Sequence, residues 1–92
     1  MLNYYIQKTS NLAFRQIEKE FVILDTEQNI LHTLNEIGSL IWKMANGKTS
    51  INKIIDKIYH KYNSNKKIIE KDVIKFINEL VEKKLLILKK EK

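Results

Sequence analysis

The most constraining feature of the chain is an unbroken series in residues 21–47 of apolar run, polar turn, second apolar run and amphipathic helix. Phe21–Leu24 are four apolar residues, two of them β-branched, and read as a strand. Asp25 to Asn29 form a polar connection with turn formers at both ends. Ile30–Leu34 is short, apolar-rich and contains Thr33, which predicts a second strand paired with the first. Asn35 then stands where a helix N-cap belongs, because its side-chain oxygen can accept from a free backbone N–H. Ile37, Leu40, Ile41 and Met44 fall on one face of a helix from about Glu36 to Ala45. Gly47 suits the left-handed residue that would end it. Gly38 inside this helix costs about 1 kcal/mol relative to alanine, so a close neighbour is expected there. Trp42 is placed at the rim of the core.

Either side of this stretch the pattern is simpler. Residues 1–11 show no period and are read as a flexible arm, or as a segment ordered by a partner. Leu12–Glu18 is a weak first strand that would turn through Lys19 and Glu20 into the strand at Phe21. A three-stranded antiparallel meander over about residues 12–34 results. Its last strand is expected at an edge, since the chain leaves it directly for a helix.

Thr49 or Ser50 caps a second helix, whose stripe of Ile51, Ile54, Ile55, Ile58, Tyr59 and Tyr62 is the cleanest periodicity in the chain. Lys53, Lys57 and Lys61 lie opposite it. A third helix follows the polar loop at 63–67. Its stripe is Ile69, Val73, Phe76, Ile77 and Leu80, widened by Ile74 and Val81. So wide a stripe must touch two neighbours or leave part of itself as a groove. Leu85–Leu88 is a final short strand or a packed tail, and residues 89–92 are expected to fray. Strands grouped before helices define an α+β fold, and the three helices match the content of a winged helix-turn-helix.

With 92 residues this reads as one small domain. No cysteine is present, so disulfides and thiol chemistry are excluded. No apolar run approaches the ~20 residues of a membrane span, and a cytoplasmic protein is expected. The formal charge of +6 is concentrated in residues 36–67, which carry seven lysines against two acids. A solvated lysine face is the commoner cause of such an excess; an acidic partner or nucleic acid is the other.

Catalytic chemistry is sparse. The sequence has no G-x-S-x-G, no phosphate-cradling glycine loop and no H-E-x-x-H. His32 and His60 lack the surrounding acids of a metal site, and His32 is read as an exposed strand residue. No catalytic residue, metal or cofactor is expected. Two binding surfaces remain. One is the edge of the third strand with the third helix, able to take an extended peptide by main-chain hydrogen bonds. The other is the lysine-rich second helix, which could approach DNA. Against DNA, Arg15 is the only arginine, and Glu70, Asp72, Glu79 and Glu82 would face phosphates.

The ordered set of features resembles PqqD and the related recognition elements for ribosomally made, post-translationally modified peptides. The resemblance is carried by strand–turn–strand ending in Leu34-Asn35, then Gly38, Ile41-Trp42, Asn46-Gly47, Thr49 and the isoleucines of the second helix. It resumes at Asp72-Val73, Phe76-Ile77, Leu80 and Leu85-Leu86, and covers roughly residues 13–88. Lys84 departs from it, standing where the family often has glycine. The resemblance implies a winged-helix-like domain, three strands then three helices, that does not bind DNA. It implies binding of the leader of a precursor peptide as a strand beside the third strand. Carried over residue by residue, the contacts are Asn29, Ile30, Leu31, His32, Thr33 and Leu34 on the strand. On the third helix they are Asp72, Val73, Lys75, Phe76 and Glu79. Lys75 would meet a leader acid, and Asp72 or Glu79 a leader base. The implied partners are the precursor peptide and a modifying enzyme or leader peptidase, of radical SAM or lasso-type machinery. The protein itself is expected as a monomer or homodimer. A small winged-helix DNA-binding protein is the alternative.

Overall fold

A computed structural model describes residues 2–90. The elements in order are β1 (Tyr5–Lys8), β2 (Leu12–Ile17), β3 (Glu20–Asp25), β4 (Ile30–Thr33), α1 (Glu36–Lys43), β5 (Asn46–Ser50), α2 (Ile51–Tyr62), α3 (Lys66–Glu82) and β6 (Leu86–Lys89). The α+β arrangement of an antiparallel meander followed by three helices is present. The meander has the order β2-β3-β4, so β4 is an edge. A second antiparallel sheet has the order β5-β1-β6.

That second sheet corrects the reading of residues 1–11 as an arm. Tyr5 pairs with both Ser50 and Lys89, and the Ile6 side chain is buried in the core. Lys89, expected to fray, is the last residue of β6; Glu91 and Lys92 lie outside the described residues. The β2–β3 turn is one residue earlier than expected. Ile17 pairs with Glu20, and Glu18 takes a left-handed conformation with φ 56°.

The β3–β4 turn is built as its polar residues require. Asp25 accepts from the N–H groups of Glu27 (3.0 Å) and Gln28 (3.1 Å), and Asn29 is left-handed with φ 60°. Asn35 caps α1 by accepting from the Gly38 N–H at 2.8 Å. The helix ends at Met44, before Gly47, whose φ of 76° lies within β5 instead. Ser50 caps α2, and left-handed Asn63 closes it. Asn65 caps α3, accepting from Lys67 at 2.9 Å and Ile68 at 3.3 Å.

α3 ends in a Schellman turn. The Leu85 N–H donates to the Leu80 carbonyl and the Lys84 N–H to the Val81 carbonyl, both at 2.9 Å. Lys84 occupies the left-handed position with φ 62°, which is the position where glycine costs least.

The core gathers Ile6, Phe21, Ile23, Leu34, Ile41 and Trp42 with Ile51, Ile54, Ile55, Ile58, Ile69, Val73, Ile77, Leu80, Leu85 and Leu86. Each fully buried isoleucine or leucine contributes about 1.5–3 kcal/mol by leaving water. Trp42 is wholly buried, not at the rim. Phe14 meets it edge-on at 5.5 Å, and the Lys8 ammonium lies over both rings while donating to the Ala45 carbonyl. These contacts tie β1 to the meander and to α1. Partial burial of the ammonium lowers the Lys8 pKa.

Candidate functional site

The free edge of β4 follows from its pairing. The Leu34 N–H donates to the Phe21 carbonyl at 2.9 Å. Strand alternation gives His32 and Ile30 the same orientation toward β3, opposite Ile23 and Asp25. The N–H and C=O groups of Leu31 and Thr33 therefore point away from the sheet. Two donors and two acceptors stand in a row, spaced for an added strand.

Side chains follow the same alternation. Ile30, His32 and Leu34 share the inner face with buried Ile23 and Phe21; Leu31 and Thr33 share the outer face with Leu24 and Val22. His32 is half-buried on the inner side, which corrects its reading as an exposed residue.

α1 is fastened to this sheet by Ser39. Its hydroxyl accepts from the Phe21 N–H at 2.8 Å and donates to the Leu34 carbonyl at 3.2 Å. The hydroxyl thus bridges a rung of the β3–β4 ladder and satisfies two buried backbone groups at once. The buried face of α1 is in consequence Gly38, Ser39, Ile41 and Trp42, rotated from the apolar stripe read from the sequence.

α3 crosses α1 at Gly38. A cleft of about 300 Å³ lies between them, lined by Asn35, Ile37, Asp72, Lys75, Phe76 and Glu79. Asn35 is two residues beyond the end of β4, so edge and cleft adjoin. The floor is apolar, from Phe76 and Ile37. The walls carry two carboxylates, Asp72 and Glu79, and one ammonium, Lys75, so the cleft offers partners to side chains of either charge.

Of the eleven residues carried over from the family pattern, the structure brings four to the cleft: Asp72, Lys75, Phe76 and Glu79. Leu31 and Thr33 present backbone at the edge, and Ile30 and His32 offer side chains beside it. Three are engaged within the fold instead. Val73 is only 1% exposed and belongs to the core. Leu34 is buried, with its N–H and carbonyl engaged by Phe21 and Ser39. Asn29 is spent on the turn, donating its N–H to the Asp25 carbonyl at 2.7 Å. Asn35 and Ile37, a cap and a core position by sequence pattern, also line the cleft. Their signal was their position directly after an edge strand.

A third region joins the site to α2. The Tyr62 hydroxyl donates to a Glu36 carboxylate oxygen at 2.6 Å, and Lys19 lies 3.5 Å from the other oxygen. The Tyr62 hydrogen bond, then Lys19, holds the Glu36 carboxyl below the usual carboxylate range, and the same bond raises the Tyr62 pKa. Lys53, Lys57 and Lys61 are exposed on α2. Among the described residues no group of three or more His, Asp or Glu side chains could hold a metal ion, and no helix is long and apolar enough to cross a membrane.

Comparison with known proteins bears on this geometry. The family model of PqqD, coenzyme PQQ synthesis protein D, matches residues 20–86. No curated protein matches the chain. Among solved structures, TbiB1 in complex with the TbiA(beta) leader peptide is similar with a TM-score of 0.81 and 25% identity. That match covers 87% of this chain and 93% of the other. A lasso peptide synthetase B1 complexed with its leader peptide has a TM-score of 0.78 at 16% identity, covering 92% and 98%. The family match runs from the first residue of β3 to the first residue of β6, through the edge strand and both walls of the cleft, and the chain belongs to the PqqD family.

Proposed function

We propose that the protein is a non-catalytic peptide-binding module. It takes the leader region of a ribosomally made precursor peptide as an added strand on β4 and presents it to a modifying or processing enzyme. The observation that carries this reading is the outward backbone of Leu31 and Thr33 beside the cleft floored by Phe76. The leader peptides held by the two solved relatives support it. Residues 1–92 act as one peptide-recognition domain, as a monomer or homodimer in the cytoplasm. The enzyme that follows is a modifying enzyme or leader peptidase, of radical SAM or lasso type. Phe76 and Ile37 receive an apolar leader side chain, Asp72 or Glu79 a basic one, and Lys75 an acidic one.

Fluorescence anisotropy with a labelled leader from the precursor encoded beside this protein tests the reading. The titration is run at two salt concentrations, with random duplex DNA in parallel. Saturable leader binding that persists at high salt is expected. Proline at Leu31 or Thr33 should abolish it while leaving the fold intact, because each removes an outward donor only. Leader binding that survives both substitutions would refute strand addition. DNA binding with a steep salt slope and no leader binding would replace the proposal with phosphate recognition by the lysines of α2.

A further inference from the structure

The outer face of the meander breaks the usual rule for a solvated antiparallel sheet, which alternates apolar inside with polar outside. Its outward positions are Ala13, Arg15 and Ile17 on β2, Glu20, Val22 and Leu24 on β3, and Leu31 and Thr33 on β4, so apolar residues hold five of the eight. Leu31 is 64% exposed and Ile17 54%. The five apolar ones, with Phe14 and Arg15, line a hollow of about 230 Å³. A wider hollow of about 700 Å³ shares Ile17 and Val22 with it and reaches Thr33. Each residue whose backbone points off the β4 edge thus also borders a hollow on the outer side.

A second copy of the chain is a poor occupant for this face. Three strands of about five residues span roughly 250 Å². A stable interface needs about 800 Å² from each partner. The face is instead continuous with the β4 edge through Leu31, which contributes both free backbone and an outward side chain.

From this continuity we infer that the bound peptide is read on both faces of the sheet. This rests on the strand-addition reading above. Peptide residues opposite Leu31 and Thr33 lie on the outer side, where the one beside Leu31 packs on Leu31 and, if long, reaches toward Leu24. The residue between them, opposite His32, turns inward toward the cleft of Phe76 and Ile37. The recognised segment therefore carries apolar residues of both parities, an odd number of positions apart. A segment with apolar residues only at alternate positions fills one face and leaves the other wet.

Leu31→Thr and Phe76→Ala are titrated against the leader and its single-alanine variants. Threonine keeps strand preference at an exposed position, so the fold is retained. Leu31→Thr is expected to weaken the leader about fivefold, the scale of one lost cross-strand pair. One leader alanine should have no further effect in Leu31→Thr, and another no further effect in Phe76→Ala. The two positions should be separated by an odd number. Full affinity in Leu31→Thr beside a loss in Phe76→Ala would overturn the inference, as would two coupled positions of equal parity. A dimer in light scattering that Leu31→Thr dissociates would also overturn it, assigning the face to a second copy. Failure of the leader to bind the unaltered protein would instead refute the strand-addition reading itself.

Discussion

Phe76 packs against the bare backbone of Gly38: a β-carbon on residue 38 would lie 2.7 Å from the ring's Cε1 atom. The absent side chain lets α3 close on α1 and sets the aromatic floor of the cleft. Gly38→Ala gains about 1 kcal/mol of helix propensity but displaces the ring. Because Phe76 is half-exposed, the ring can move into the cleft. Denaturant unfolding should show stability within about 1 kcal/mol of the parent. Leader affinity should fall several-fold in the same variant. Unchanged affinity would mean that the ring position does not matter to binding.

Ser39→Ala tests the bridged rung between β3 and β4. The substitution leaves the Phe21 N–H and the Leu34 carbonyl without their buried partner. A loss of about 1–3 kcal/mol is expected in chemical denaturation. Amide exchange should speed up at Phe21 before it does in α2.

Lys84→Gly should stabilise the protein. A lysine at φ 62° carries a left-handed strain of about 1–2 kcal/mol that glycine lacks, partly offset by the greater freedom of glycine in the unfolded chain. A net gain of about 1 kcal/mol, seen as a higher Tm, is expected. Lys84→Ala, still bearing a β-carbon, should gain little.

The Glu36–Tyr62 contact makes a small pH-dependent link between α1 and α2. The Glu36 carboxyl is depressed in the folded state, first by the Tyr62 hydroxyl and then by Lys19. Its contribution is present above the pKa of the unfolded carboxyl and is lost as pH falls through the lower folded value. Tyr62→Phe should raise the Glu36 pKa, read by NMR titration of the carboxyl carbon. An unmoved titration would show that Lys19 and Lys61, not the hydroxyl, depress it.

The helices and the meander were legible because their apolar residues repeat at short range. Ile51, Ile54, Ile55 and Ile58 mark one face of α2, and all four are buried. Ile69, Val73, Ile77 and Leu80 do the same for α3. The β3–β4 turn was equally plain, since Asp25 and Asn29 satisfy local backbone geometry without distant partners. β1 and β5 leave no such mark in the sequence, for the opposite reason. The residues of β5, Asn46–Ser50, include none that is large and apolar, and β1 has a single fully buried anchor at Ile6. Both are strands because main-chain partners far away in sequence pair with them, and side-chain period carries no record of such partners.

What the sequence by itself determined is therefore the local content: three helices with the N-caps of the first two, a three-stranded meander, and a family pattern spread along it. What only the tertiary structure decided is which members of an apolar stripe face a ligand. Val73 and Phe76 belong to one helical face, yet Val73 is sealed in the core and Phe76 floors a cleft, because Gly38 brings α1 against the ring. Leu31 and Thr33 offer their backbone while Leu34 does not, because the pairing of Leu34 with Phe21 sets the parity of the edge. Periodicity specifies which face of an element is apolar; the arrangement of its neighbours specifies how much of that face they cover.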